Sequence, residues 1–195
     1  QQMKVDVVSN NLANMSTTGY NARRAEFADL HYQQDIRPGT VTANDGTIVP
    51  TGVQLGLGVR AAAVSVNVAQ GTLSLTGGDL DVAIEGGGYL EVTLPSGASA
   101  YTRDGGLKRS ADGLIVTSDG HTVAPGITIP AEARTLSINA AGEVYAYFTD
   151  RVEPELLGQI TLAGFTNEKG LEAIGSNLFL ETAASGAPTV GVPGE

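Results

Sequence analysis

The 195 residues carry 11 Lys+Arg against 21 Asp+Glu, a formal charge of −10, with 42% hydrophobic residues, 26 glycines and neither tryptophan nor cysteine. That size and apolar content predict a folded chain with a buried core, and the lack of thiols excludes disulfide frameworks, thiolate nucleophiles and Cys-based metal sites. The acidity, with no basic run longer than Arg23-Arg24 or Lys108-Arg109, argues against nucleic acid as a partner.

Residues 1–40 balance Lys4, Arg23, Arg24 and Arg37 against Asp6, Glu26, Asp29 and Asp35, so the whole excess of negative charge falls in 41–195. The opening residues Gln1 to Asp6 have neither the apolar stretch nor the small-residue cleavage site of a signal peptide. No run approaches the roughly 18 apolar residues of a membrane span, and no direct membrane insertion is expected. The first residue is not an initiator Met, and the chain reads as a fragment. Val5, Val8, Leu12 and Met15 recur at spacings of three and four and predict a helix over 3–15 with a narrow apolar seam. A stripe that thin wants a partner helix, and nothing later in the chain supplies one. Asn14 to Tyr20 then stops the helix with small polar residues and Gly19. Ala25 to Leu30 is expected to add one short helical turn.

From residue 40 the period falls to two. Val64, Val66 and Val68 alternate with Ser65 and Asn67, and the same alternation recurs in 89–94, 143–148 and 159–162, predicting strands. Asp45-Gly46, Asp104-Gly105, Asp112-Gly113 and Asp119-Gly120 are read as tight turns with positive φ, and their spacing from 104 to 119 implies a meander of short strands. The tail from Ala183 to Gly194 reads as a linker. The fold class expected is therefore mainly β, an N-terminal helical stub followed by an antiparallel β domain.

A search for chemistry gives little. His31 and His121 are the only candidates for a base in the neutral range, lie in unlike contexts, and read as surface residues. No Gly-x-Ser-x-Gly elbow accompanies them. Asp79-Leu80-Asp81 is an isolated pair without the spacing of a calcium loop. Glu85-Gly86-Gly87-Gly88 and Gly56-Leu57-Gly58 both run into strand-like sequence, where a phosphate loop needs a helix. They read as turns or close backbone approaches. Without Trp, a sugar platform is not expected, and Tyr20, Phe27 and Tyr32 around the stub read as staple or interface residues. No catalytic residue, metal ligand or cofactor is assigned, and the chain is not expected to be an enzyme.

Asn10-Asn11-Leu12-Ala13-Asn14, followed by Thr17-Thr18-Gly19-Tyr20, resembles the N-terminal signature of bacterial flagellar rod and hook proteins. The residues carrying that motif are Asn10, Asn11, Asn14, Thr18, Gly19 and Tyr20. The resemblance extends along the chain through Gln70-Gly71-Thr72-Leu73 with Thr76, through Asp81 to Tyr89, and through Tyr101-Thr102-Arg103-Asp104-Gly105 with Gly113 to Val116. Gly170-Leu171-Glu172, Gly175 to Phe179 and Ala184 to Pro188 continue it. The stretch Pro50 to Arg60, with Ile127 to Pro130 and Gly158-Gln159-Ile160, is similar to the family's distal-rod members. The order of these short motifs on one chain is far more specific than any of them alone. Departures are Tyr89-Leu90, where two phenylalanines are usual, Leu107, where an aromatic is common, and His31, where the family often has an apolar residue.

The resemblance implies a β domain of the rod and hook type and a structural subunit of the distal rod. That rod is the straight drive shaft, which polymerises helically in the periplasm-spanning basal body and transmits torque to the hook. The segment 41–60, rich in Gly and flanked by Pro38 and Pro50, is itself read as extending from the β domain to brace neighbours. The resemblance divides the chain into an N-terminal helix and linker of the inner-tube region (1–40), a β-rich outer domain (41–188) that includes that segment, and a linker (189–195). That linker leads toward a C-terminal helix outside this sequence. Val5, Val8, Leu12 and Met15 become the inner subunit interface. The implied partners are further copies, proximal rod subunits, hook or hook-adjacent subunits, and the peptidoglycan and outer-membrane ring proteins. Export is expected through the flagellum's own channel. The alternatives are a hook or proximal rod subunit and, from another class, a monomeric β-rich ligand-binding domain.

Overall fold

The computed structural model describes residues 2–30, 32–36 and 53–194. His31, Asp45-Gly46 and most of the expected bracing segment lie outside them. The chain forms two compact units, 1–13 with 22–67 and 14–21 with 68–195.

The first unit opens with helix α1, Gln2–Ala13, and continues with strands β1, Arg23–Asp29, β2, Tyr32–Ile36, β3, Val53–Gly56, and β4, Val59–Val66. β1 pairs antiparallel with β4 from Arg23↔Val66 to Asp29↔Val59, slipping by one residue at Glu26/Phe27. β2 pairs with β3, and α1 packs against β1. The helical turn expected at Ala25 to Leu30 is therefore a strand. The segment carries no decisive period, its half-buried residues being Ala25 and Ala28 on either side of the register slip, and the β4 ladder decides between helix and strand. The region expected as helix and linker accordingly contains two strands. The helix also stops earlier than the seam predicts. The Thr17 N–H bonds the Asn14 carbonyl at 3.0 Å, a turn tighter than an α-helix, so Met15 lies past the helix and off its face.

The second unit is built of β5, Tyr89–Thr93, β6, Ser99–Thr102, β7, Lys108–Arg109, β8, Ile115–Val116, β9, Thr122–Val123, β10, Thr135–Ile138, β11, Glu143–Tyr147, β12, Glu155–Gln159, β13, Leu162–Gly164, β14, Glu172–Gly175, β15, Leu178–Leu180, and β16, Thr189–Gly191. One sheet runs β14-β15-β6-β5-β9-β8-β7, with β13 bridging β5 to β16, and β10-β11-β12 form a second. All of their pairings are antiparallel. The meander of short strands between 104 and 123 is present as β7, β8 and β9. The alternation at 159–162, expected as one strand, spans the end of β12 and the start of β13. The tail expected as a linker is docked instead: β16 pairs with β13, and Ser185 is fully buried, its hydroxyl donating to the Thr182 carbonyl at 2.9 Å.

Strand β5 is buried on both faces. Leu90 and Val92 join Ala100, Leu107, Ile115, Val123, Ile127, Ile129, Val144, Ile160 and Leu178 in the larger core. Tyr89 packs the other way, with Tyr101, Ala163, Leu171 and Phe179. Its ring meets Phe165 and Phe179 edge-on with centroids 5.8 and 5.9 Å apart, a geometry that favours aromatic pairs beyond their burial. The two departures at 89 and 90 and the one at Leu107 are thus all core positions.

Candidate functional site

Two regions meet the requirements of a site: the helix seam with the motif that follows it, in successive parts of the chain, and a polar cleft in the second unit.

On α1 the seam is open to solvent. Val5, Val8 and Leu12 are 63%, 56% and 67% exposed. These large apolar side chains share one helix face and are left mostly in water. The half-buried helix residues are Val7 and Asn11. Asn11 acts as a strand mimic: its Nδ2 donates to the Arg23 carbonyl at 2.8 Å, and its Oδ1 accepts from the Arg23 N–H at 2.9 Å. The first residue of β1 thereby gets both backbone bonds satisfied from the helix.

The remaining motif residues divide between the units. Asn10 lies exposed on α1. Asn14 accepts from Thr17, as described, and the Tyr20 N–H bonds the Thr17 carbonyl at 3.3 Å. The Thr18 carbonyl accepts from Asn177 Nδ2 at 2.9 Å. Gly19 has φ +70 and lies against Asp104. Met15, expected among the seam residues, is not brought onto the helix with them.

The cleft has a volume of about 470 Å³ and is lined by residues including Gln70, Gly86, Gly87, Arg103, Phe165 and Glu168. The glycine run at its rim is held as a turn. Arg103 donates to the Gly88 carbonyl at 2.9 Å, to the Gly86 carbonyl at 2.7 Å and to Gln70 Oε1 at 3.1 Å. The Gly86 N–H donates to the same Gln70 oxygen at 3.3 Å. The Arg103 guanidinium lies 5.6 Å from the centre of the Tyr89 ring, whose hydroxyl donates to Glu168 Oε2 at 3.2 Å. Burial, then the Glu168 carboxylate, pushes the Tyr89 phenol up to about 12. The Arg103 guanidinium is thus used to hold backbone carbonyls, and the cleft's chemistry is that of a buttress for β5.

Elsewhere, Asp81 of the isolated acidic pair accepts from the Thr76 hydroxyl at 2.7 Å, and among the described residues no group of three His, Asp or Glu side chains is placed to hold a metal. His121 closes a turn through its backbone, its N–H on Thr117 Oγ1 at 3.3 Å. No described helix is long and apolar enough to cross a membrane. Sequence reasoning passed over Gln70, Arg103, Glu168 and Asn177. Gln70, Arg103 and Asn177 stand inside the family motifs without an assigned role and Glu168 stands in none; Glu168 and Asn177 act on residues 79 and 159 positions away, a distance that carries no sequence signal.

The chain is similar in sequence to known flagellar proteins. Residues 1–21 match the family model described as flagella basal body rod protein, and residues 83–146 match that of the flagellar hook protein FlgE/F/G D1 domain. The chain is 53% identical over 195 residues, all of it and 74% of the relative, to the flagellar basal-body rod protein FlgG of Caulobacter vibrioides. It is 45% identical over 193 residues to the protein of that name from Agrobacterium fabrum, covering 99% of this chain and 74% of the relative. The Bacillus subtilis FlgG is 36% identical over 200 residues, with all of this chain and 74% of that protein covered.

Proposed function

The chain belongs to the flagellar basal-body rod protein family, and we propose that it builds the distal rod through the exposed face of α1. As a member of that family it is a structural subunit of the flagellar basal body, and its relatives are structural proteins. A shaft that transmits torque needs subunit contacts that repeat without sliding, and heterologous contacts repeated by a screw operation give an open filament. The observation that carries the reading is the set Val5, Val8 and Leu12, apolar and more than half exposed, on a helix whose other side is tied to β1 by Asn11.

The finer parts of the reading rest on the resemblance. Residues 1–40 supply the inner tube and the β body forms the outer layer. The segment 41–60 braces neighbouring copies, and the body lies against the peptidoglycan and outer-membrane ring proteins, with proximal rod and hook-side subunits at the two ends. The acidity of the second unit disfavours adhesion to acidic surroundings, as a rotating surface requires.

Leu12→Asp tests the proposal. The side chain is solvated, so the melting temperature of the chain is expected to stay within about 1 kcal/mol equivalent of the parent. In cells carrying the substitution in the full-length gene, basal bodies seen by electron microscopy are expected to stop short of the distal rod. Straight rods of normal length would refute the role of the seam.

A further inference from the structure

The Thr17-Thr18-Gly19-Tyr20 part of the motif lies beyond the helix and belongs to the second unit, where consecutive residues meet two different seats. Thr18 presents its carbonyl to Asn177 Nδ2 at 2.9 Å across 159 residues of sequence. Gly19, at φ +70, lies so close to Asp104 that an added Cβ would be 3.0 Å from its Cα and 3.1 Å from its Cβ. Only glycine combines that backbone angle with that approach.

Both seats are fixed from beneath. Asn177 and Ser176 form the turn between β14 and β15 at φ +56 and +50. Thr102 Oγ1 donates to the Asn177 carbonyl at 2.9 Å and itself accepts from the Asp104 N–H at 3.1 Å. Thr102 is 1% exposed, so one buried hydroxyl ties the turn and the Asp104 backbone into a single rigid element. The Asp104 carboxylate is occupied as well, accepting from the Gly106 N–H at 3.0 Å.

We propose that Asn177 and Asp104, joined through Thr102, form a seat for the Thr18–Gly19 turn and fix the path of the chain between α1 and β1. Beyond the N-terminal crossing at 13/14, the chain passes between the units only at 21/22 and 67/68. A slack segment at 14–21 would absorb rotation as coil motion, whereas a seated one passes it on. This mechanical consequence rests on the reading of the chain as a rod subunit, but the seat itself does not. Asn177 and Asp104 are positioning residues in this scheme.

Hydrogen exchange on the 195-residue chain tests it. Asn177→Gly keeps the left-handed turn and removes the amide donor. Amides of 14–21 are expected to exchange about fivefold faster, the equivalent of one neutral hydrogen bond, while those of β5 and β6 keep parental rates. Gly19→Ala, which adds the Asp104 overlap, is expected to exceed that effect over the same stretch. Unchanged exchange at 14–21 in both variants overturns the seat. A chain absent from purified basal bodies overturns the functional reading and leaves the exchange result standing. In cells with rods of normal number and straightness, Asn177→Gly is expected to lower swimming speed more steeply than the parent as viscosity rises. An equal decline overturns the mechanical role.

Discussion

Gly105→Ala puts the packing of the second unit to a quantitative test. Gly105 is the one described Asp-Gly glycine without a positive φ. Its constraint is proximity: a Cβ there would overlap the Val82 carbonyl oxygen and lie 2.7 Å from the Val82 carbonyl carbon and 3.0 Å from Cγ2. The Val82 N–H bonds the Gly105 carbonyl at 3.0 Å, Asp81 bridges Gly106, and Val82 and Leu107 both pack into the larger core. The colliding atoms are backbone, so the segment 81–82 must move as a body. Overpacking of this kind costs about 1–3 kcal/mol, and losing the Val82 bond adds roughly 1 kcal/mol. The sum, about 2–4 kcal/mol, lowers the melting temperature by roughly 6–12 °C for a unit of this size. Gly120→Ala is the control, because Gly120 has φ +88 and open space around it. It suffers the left-handed backbone cost of about 1–2 kcal/mol and no collision. Circular dichroism melts of the three proteins decide the matter. A Gly105→Ala melt within 2 °C of the parent, or a Gly120→Ala protein less stable than it, would refute the close-approach reasoning.

Tyr89 and Asn11 give two further predictions. The Tyr89 phenol titrates near 12 when folded and near 10.0 in its ordinary state, so its contribution is complete below pH 10 and is lost as pH rises from about 10 to about 12. Discounted for solvent screening, its size is about 1–2 kcal/mol. Tyr89→Phe should flatten the alkaline fall of the urea midpoint between pH 9.5 and 11.5, and an unchanged slope would count against burial and Glu168 as the cause. Asn11→Ala removes both bonds to the Arg23 backbone, about 1 kcal/mol each. Hydrogen exchange at the start of β1 should accelerate by roughly an order of magnitude or more, and Asn11→Asp, which keeps only the acceptor, should fall between.

Local pattern reached the helix, the meander and strands β4, β5 and β11 because those elements rest on signals within a few residues of one another. Tyr89, Leu90 and Val92 alternate in a way any strand would. The same locality explains the failures. Ala25 to Asp29 carries no decisive period of its own, and the partner that chooses, β4, lies about 30 or more residues on. Asp104-Gly105 looks like its neighbours Asp112-Gly113 and Asp119-Gly120, yet its glycine answers to Val82, a contact that dipeptide statistics do not contain. The tail after Thr182 carries the Ala, Ser, Gly and Pro of a linker, but the buried Ser185 hydroxyl and the β13 edge give its backbone partners. The motif at Asn10 to Tyr20 was recognisable as a pattern. That Asn11 serves one unit while Thr18 and Gly19 serve the other follows only from coordinates.

The distribution of charge and apolar surface bears on why such a subunit assembles as an array. The unit holding α1 contains five basic and five acidic residues, whereas the other contains six basic and sixteen acidic. Copies brought together repel through the acidic units, over a range of about 8 Å at physiological ionic strength. If Val5, Val8 and Leu12 form the inner contact, as proposed, covering the 56–67% of each that is exposed yields about 3–6 kcal/mol in all. Association costs about 4–15 kcal/mol in lost freedom before any repulsion is counted. One seam contact therefore cannot hold two copies together by a useful margin. In a helical array each added copy meets several neighbours for a single loss of freedom, so the same contact becomes favourable only at the growing end of an existing rod. On the proposed reading, the small yield of one seam contact together with repulsion between the acidic units leaves a subunit dispersed until it reaches that end.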